Sequence, residues 1–126
     1  MIRKILIAAS ALASGMGTAL AEPVTYNIDP GHTYPAFEAD HMNGMSLWRG
    51  KFNSSAGTIK LDRAAKSGEV SITVQTASIN FGHADMDKHA KSADIFDVEK
   101  FPTATYKGTF SKWNGDMPTE VSGDLT

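Results

Sequence analysis

An antiparallel all-β domain, a barrel or a sandwich with one short helical excursion, is predicted by three observations. Apolar residues alternate with polar ones at period two along most of the chain, the mark of strands with one face to a core and one to water. Turn residues separate these runs at hairpin spacing. One stretch alone, Ala84 to Lys91 (ADMDKHAK), breaks the rhythm and favours a short helix.

Seven strands follow in order. Val24, Tyr26 and Ile28 alternate before a turn at Asp29, Pro30 and Gly31. Thr33, Pro35, Phe37, Ala39 and His41 form one face of a second strand, which starts after Pro35 or is irregular there, because proline cannot donate to a ladder. Trp48, Gly50 and Phe52 share a face of a third. Gly57, Ile59 and Leu61 share one in a fourth, opposite Thr58, Lys60 and Asp62. After a turn at Ser67 and Gly68, Val70, Ile72, Val74 and Thr76 give the clearest strand. Ala104, Tyr106, Gly108 and Phe110 alternate next, and Val121, Gly123 and Leu125 close the set. Asn114 and Gly115 between them suit the positive backbone angles of a tight hairpin. Pro102 ends the irregular stretch after the helix, from which Ile95, Phe96 and Phe101 are expected to fold inward as a flap.

The first residues have a different character. Arg3 and Lys4 precede an apolar run from Ile5 to Leu12 and small residues ending Ala19, Leu20, Ala21, the three-part layout of a secretory signal peptide. The run falls short of the roughly 20 residues a membrane span needs. Residues 1–21 are therefore read as a signal peptide cleaved after Ala21, and residues 22–126 as one domain of about 105 residues with a modest core. Without Arg3 and Lys4, ten of the 12 basic residues face 14 acidic ones, a net charge of −4. That balance supplies no positive field for nucleic acid or an anionic membrane surface. Export permits disulfides, yet cysteine is absent, so stability must come from apolar burial.

Motifs for chemistry are sparse. The sequence has no Cys nucleophile, no Gly-x-Ser-x-Gly elbow and no glycine-rich phosphate loop, so no enzyme and no cofactor are expected. His83 and His89 flank Asp85 and Asp87, but histidines six apart fall on different helix faces, whereas a helical zinc pair needs a spacing of four. As a calcium loop the segment has Ala90 where the turn glycine belongs and Phe96 where the closing Glu belongs. The segment reads as a solvated polar loop, with no metal expected. His32 is assigned a local hydrogen bond beside the Asp29 turn. His41, on the face of Phe37, has two readings: a donor to the polar end of a ligand held in the lumen, or a core histidine satisfying a backbone carbonyl. Asn53, Ser54 and Ser55 match a glycosylation sequon, common by chance. Trp113 is read as a surface cover beside the Asn114 turn.

The candidate inward faces carry Phe37, Ala39, His41, Trp48, Phe52, Ile59, Leu61, Val70, Ile72, Val74, Tyr106 and Phe110, with Phe96 from the flap. They mix large residues with Gly50, Gly57 and Gly108. An eight-stranded barrel either fills with its own side chains or leaves room for one ligand. From the faces alone both remain open: an apolar lumen for a ligand, or a structural or interaction barrel with a full interior.

Four stretches, YNIDPGHTYPAF (Tyr26–Phe37), GKFNSSAGTIKLD (Gly50–Asp62), SADIFDVEKFPTAT (Ser92–Thr105) and VSGDLT (Val121–Thr126), resemble the YceI-like family in their order and spacing. The resemblance implies a secreted, lipocalin-like barrel that holds a long isoprenoid lipid and has no chemistry of its own. It makes the expected protein a periplasmic carrier for an isoprenoid or quinone-type lipid, lined by the residues just named. Pro35 and the Lys88, His89, Ala90 run depart from the family pattern. Relatives continue beyond the equivalent of Thr126, so the chain reads as C-terminally truncated, with an edge that invites a homodimer.

Overall fold

The computed structural model describes residues 22–126; the expected signal peptide lies outside the described residues. The strands are β1 (Val24–Asn27), β2 (Ala36–His41), β3 (Ser46–Phe52), β4 (Ser55–Asp62), β5 (Ser67–Gln75), β6 (Ile79–Asn80), β7 (Thr103–Asn114) and β8 (Met117–Leu125). Among the described residues a single α-helix, α1 (Ala84–Lys91), lies between β6 and β7. Five strands form one sheet in the order β1-β4-β5-β7-β8, and β2-β3-β6 form another; every pairing is antiparallel. The all-β, lipocalin-like expectation holds. Among the described residues, however, the two sheets are not closed into a barrel.

Register puts the alternating apolar residues on common rungs, because side chains directly opposite in a ladder share a face. Tyr26 pairs Ile59, Ile59 pairs Val70, Val70 pairs Gly108, and Gly108 pairs Gly123. On the next rung Gly57 pairs Ile72, Ile72 pairs Tyr106, and Tyr106 pairs Leu125. A slip of one residue would turn every one of these to the other face, so the pattern itself fixes the pairing.

The sheets meet at a corner where β3 runs through Asn53 and Ser54 into β4. Phe52 N–H donates to the Pro35 carbonyl at 2.8 Å, Asn53 N–H to the Ser78 carbonyl at 3.0 Å, and Gln75 N–H to the Ser54 carbonyl at 3.0 Å. The buried Ser55 hydroxyl donates to the Thr33 carbonyl at 3.0 Å, so a polar group inside the corner is satisfied. Beside this corner sits the tightest packing: Phe52, Ile79 and Ala90 are buried, and Phe37, Val74, Phe81, Met86 and Phe96 pack against them.

Helix α1 has the predicted bounds. The His83 ring Nδ1 accepts from the Met86 N–H at 3.3 Å as an N-cap, and Asp85 and Asp87 in the first turn with Lys88, His89 and Lys91 in the last complement the helix dipole. Met86 and Ala90, four apart, turn one face to the core.

Several local expectations are corrected. The fourth-to-fifth strand turn is not at Ser67 and Gly68, which belong to β5. It lies at residues 63–66, where Asp62 Oδ1 accepts from the Ala65 N–H at 2.7 Å and Lys66 takes φ 49°. In the β7–β8 turn only Gly115 has positive φ, at 63°; Asn114 still pairs Met117 as part of the ladder. β8 starts at Met117 and includes Pro118, which an edge strand tolerates because one side of its ladder faces away from a partner. Among the described residues the strands number eight, since Ile79–Asn80 forms the short β6. Of the expected flap only Phe96 turns inward. Ile95 and Phe101 are exposed, because the backbone between them closes on itself through the Asp97 N–H to the Ser92 carbonyl, with Asp97 at φ 42°, and Lys100 lies over the Phe101 ring at 5.2 Å. β2 starts at Ala36, directly after Pro35, as expected. Trp113 lies within β7, half-buried, its ring 5.8 Å from that of Phe110.

Candidate functional site

The predicted inward residues fall into two groups. On the three-stranded sheet, Phe37 pairs Gly50 and Ala39 pairs Trp48 across β2 and β3, and Phe52 pairs Ile79 across β3 and β6. These faces build a continuous row of rings. Phe52 lies 5.7 Å from Phe96 at 85°, and Phe37 lies 5.6 Å from Phe52, 6.2 Å from Phe96 and 5.6 Å from Phe81 at 90°. Trp48 lies 6.0 Å from Phe81. Tilted and edge-to-face contacts at such distances are the favoured aromatic geometries, so the row is a cohesive apolar strip.

Gly50 makes the strip possible. A Cβ there would stand 2.6 Å from Phe37 Cζ and 2.9 Å from Phe81 Cε1, so the two rings occupy the space a side chain would take. Gly68 plays the same part on the larger sheet, where a Cβ would meet the Phe110 ring at 2.8 Å.

On the five-stranded sheet Leu61 and Val70 are buried, and Ile59, Ile72, Val74, Tyr106 and Phe110 are half-buried. Toward both edges the same face opens: Val24 and Tyr26 are about half exposed and Leu125 is 77% exposed. The wall is thus an apolar trough, packed near the corner and open toward β1 and β8. Hollows of about 290 and 480 Å3 lie over the other, polar face, among Lys60, Asp62 and Ser67 and among Ser71, Lys107 and Ser122.

His41 is exposed. Its Nδ1 is 3.0 Å from Ser46 Oγ and its ring is 5.9 Å from Trp48. His83 stands at the other flank of the same indole, 6.2 Å away at 83°. The aromatic row therefore ends in two imidazoles.

Electrostatics set the trough apart from the rest of the surface. Asp29 is held below its ordinary range first by the hydrogen bond from His32, 2.7 Å away, and then by the Gly31 N–H. This is the local hydrogen bond expected of His32. Glu120 is held down by Lys112 at 2.6 Å and by the Ser111 hydroxyl. Both carboxyls sit on exposed surface. Glu38 and Arg49, paired at 2.7 Å, likewise occupy the face of β2 and β3 opposite the rings. Among the described residues no group of three or more His, Asp or Glu is placed to hold a metal ion, and no helix is long and apolar enough to cross a membrane.

Sequence reasoning missed Phe81 as a wall residue and treated His83 as part of a solvated loop. The signal was there: Ile79, Phe81 and His83 alternate at period two and continue the short β6. The neighbouring polar run masked it.

The model of the YceI-like domain matches residues 26–126. A UPF0312 protein of Pseudomonas aeruginosa is 38% identical over 130 residues, covering 100% of this chain and 66% of the relative. UPF0312 proteins of Pectobacterium atrosepticum and Azotobacter vinelandii are 33% and 35% identical, each covering 100% of the chain and 66% and 67% of the relative. The chain thus spans about two thirds of the length of the curated relatives it matches. With the match running from β1 through β8, the chain belongs to the YceI-like family.

Proposed function

We infer that the protein is a periplasmic binding or carrier protein for a long-chain isoprenoid or quinone-type lipid, exported by the residue 1–21 signal peptide, and that it works by binding without catalysis. The observation that carries this reading is the apolar trough, in which one face of each sheet presents rings and branched side chains that their own neighbours cover only in part. A prenyl chain suits such a surface because burial of each methylene-sized group contributes roughly 0.8 kcal/mol without any directional partner. At about −0.3 kcal/mol per heavy atom, a chain of some 40 carbons reaches about −12 kcal/mol, a nanomolar ceiling. The ligand-contacting set is Phe37, Ala39, Trp48, Phe52, Ile59, Leu61, Val70, Ile72, Val74, Phe96, Tyr106 and Phe110, with His41 at one end.

One observation favours a second reading, a structural or interaction domain. Phe37, Phe52 and Phe96 pack on one another, so the end beside α1 is already filled by the protein's own rings. Organic extraction of the purified protein followed by mass spectrometry separates the two. A prenyl lipid at near-stoichiometric yield supports the carrier, and an extract free of lipid supports the filled domain. A second copy is a further expected partner. Among the described residues β8 has β7 as its one neighbour in the sheet, and a free strand edge is a template for pairing; sedimentation velocity reads the outcome.

A further inference from the structure

We propose that the end of the aromatic row at His41, Trp48 and His83 is the headgroup seat of the trough, selecting a lipid whose polar end carries carbonyl-type hydrogen-bond acceptors, with His83 as the principal donor. The proposal rests on the carrier reading and adds an orientation to it: the chain lies toward Phe37, Phe52 and Phe96, and the headgroup lies at the β2–β3 hairpin.

Two features of the row support this. The first is its gradient of polarity. Phe52 is buried beside Ile79 and Ala90, Phe37 and Phe81 are half-buried, Trp48 is half-buried and the two imidazoles are exposed. A molecule with an apolar tail and a polar head matches that gradient in one direction only, since burying an unpaired carbonyl among the phenyl rings would cost more than leaving it at the wet end.

The second is the protonation pattern of His83. Its Nδ1 accepts the Met86 N–H at 3.3 Å to cap α1. A neutral imidazole that accepts through one nitrogen carries its proton on the other, so the cap sets Nε2–H as a donor. The helix thereby fixes a tautomer that the ring alone would leave free. His41 is tethered as well, its Nδ1 3.0 Å from Ser46 Oγ, but a hydroxyl can donate or accept, so this contact positions the ring without fixing its tautomer. Both rings stand edge-on to Trp48, at 5.9 and 6.2 Å, so the indole spaces them and offers an apolar surface between.

The test uses the full chain and two probes, a benzoquinone with a geranylgeranyl tail and squalene, a hydrocarbon without a headgroup. His83→Asn keeps a capping acceptor and removes the imidazole donor. Loss of about one hydrogen bond predicts that the variant binds the quinone roughly 5- to 10-fold more weakly, with squalene affinity unchanged within about twofold. Equal weakening for both probes, or no weakening for either, overturns the proposal while leaving the carrier reading intact. Failure of the unaltered chain to bind either probe overturns the carrier reading and the proposal with it. A second measurement needs no variant: in protein with 15N-labelled histidine, the quinone shifts the His83 Nε2 resonance and squalene does not. An unmoved Nε2 resonance on saturation with quinone also overturns the assignment.

Discussion

The corner beside α1 and the outer strands of the larger sheet are built from the same kinds of residue, yet one is packed and the other is open. Near the corner, Ile79 is 2% exposed and Ala90 0%, because two sheets, a helix and the Phe96 loop converge on one place. At β8, Leu125 has the same period-two logic and is 77% exposed, because among the described residues a single neighbouring strand supports it. Apolar patterning specifies which face a residue takes; the number of elements converging there decides whether that face is buried.

Four measurements sharpen or break this contrast. The largest effect is expected for Phe52→Ala, which removes a ring touching Phe37 and Phe96 and should destabilise the fold by about 3–5 kcal/mol in urea unfolding. A loss under about 1 kcal/mol would show that the corner is not the stabilising centre. Gly50→Ala is next, since the new methyl meets Phe37 and Phe81 below normal contact distance; overpacking of this kind costs about 1–3 kcal/mol. At the open end, Leu125→Ser should change unfolding free energy by less than about 0.5 kcal/mol, the usual range for exposed positions. A larger loss would mean that β8 is covered in solution. The smallest effect concerns pH. Asp29 and Glu120 are depressed in the folded state, so each adds stability above its unfolded pKa, and that stability is lost as pH falls through the lowered folded value. Both are exposed, so their substitution by Asn and Gln should flatten only slightly the acid limb of a pH–stability curve, below about pH 4. A pronounced flattening would place structural weight outside the corner.

Much of this contrast was legible in the sequence, and the rest was hidden for definable reasons. Long alternating runs such as Val70, Ile72 and Val74 declare both strand and face, because local pattern and global pairing agree there. The helix bounds were legible because the alternation stops at Ala84 and the residues of that segment favour helix. β6 was harder to read, since the alternation of Ile79, Phe81 and His83 is short and runs straight into the polar residues of the helix. Its partner is the end of β3, set by the corner hydrogen bonds of Asn53 and Ser54, which no local signal announces. The split fate of Ile95 and Phe96 was hidden likewise: both are large and apolar, and only the positive φ at Asp97 and the turn from Ser92 decide which one enters.

The corner also has a consequence for how the domain assembles. β5 pairs with β7 only after the chain has travelled from Thr76 to Pro102 and back, through β6, the helix and the Phe96 loop. Closing such a long-range pairing carries a loop-closure entropy cost that the local β7–β8 hairpin does not, so it is expected to be the slower of the two steps. Refolding speed should therefore respond more to substitutions that loosen Ile79 and Ala90, within the intervening excursion, than to equally destabilising ones in the local β7–β8 hairpin.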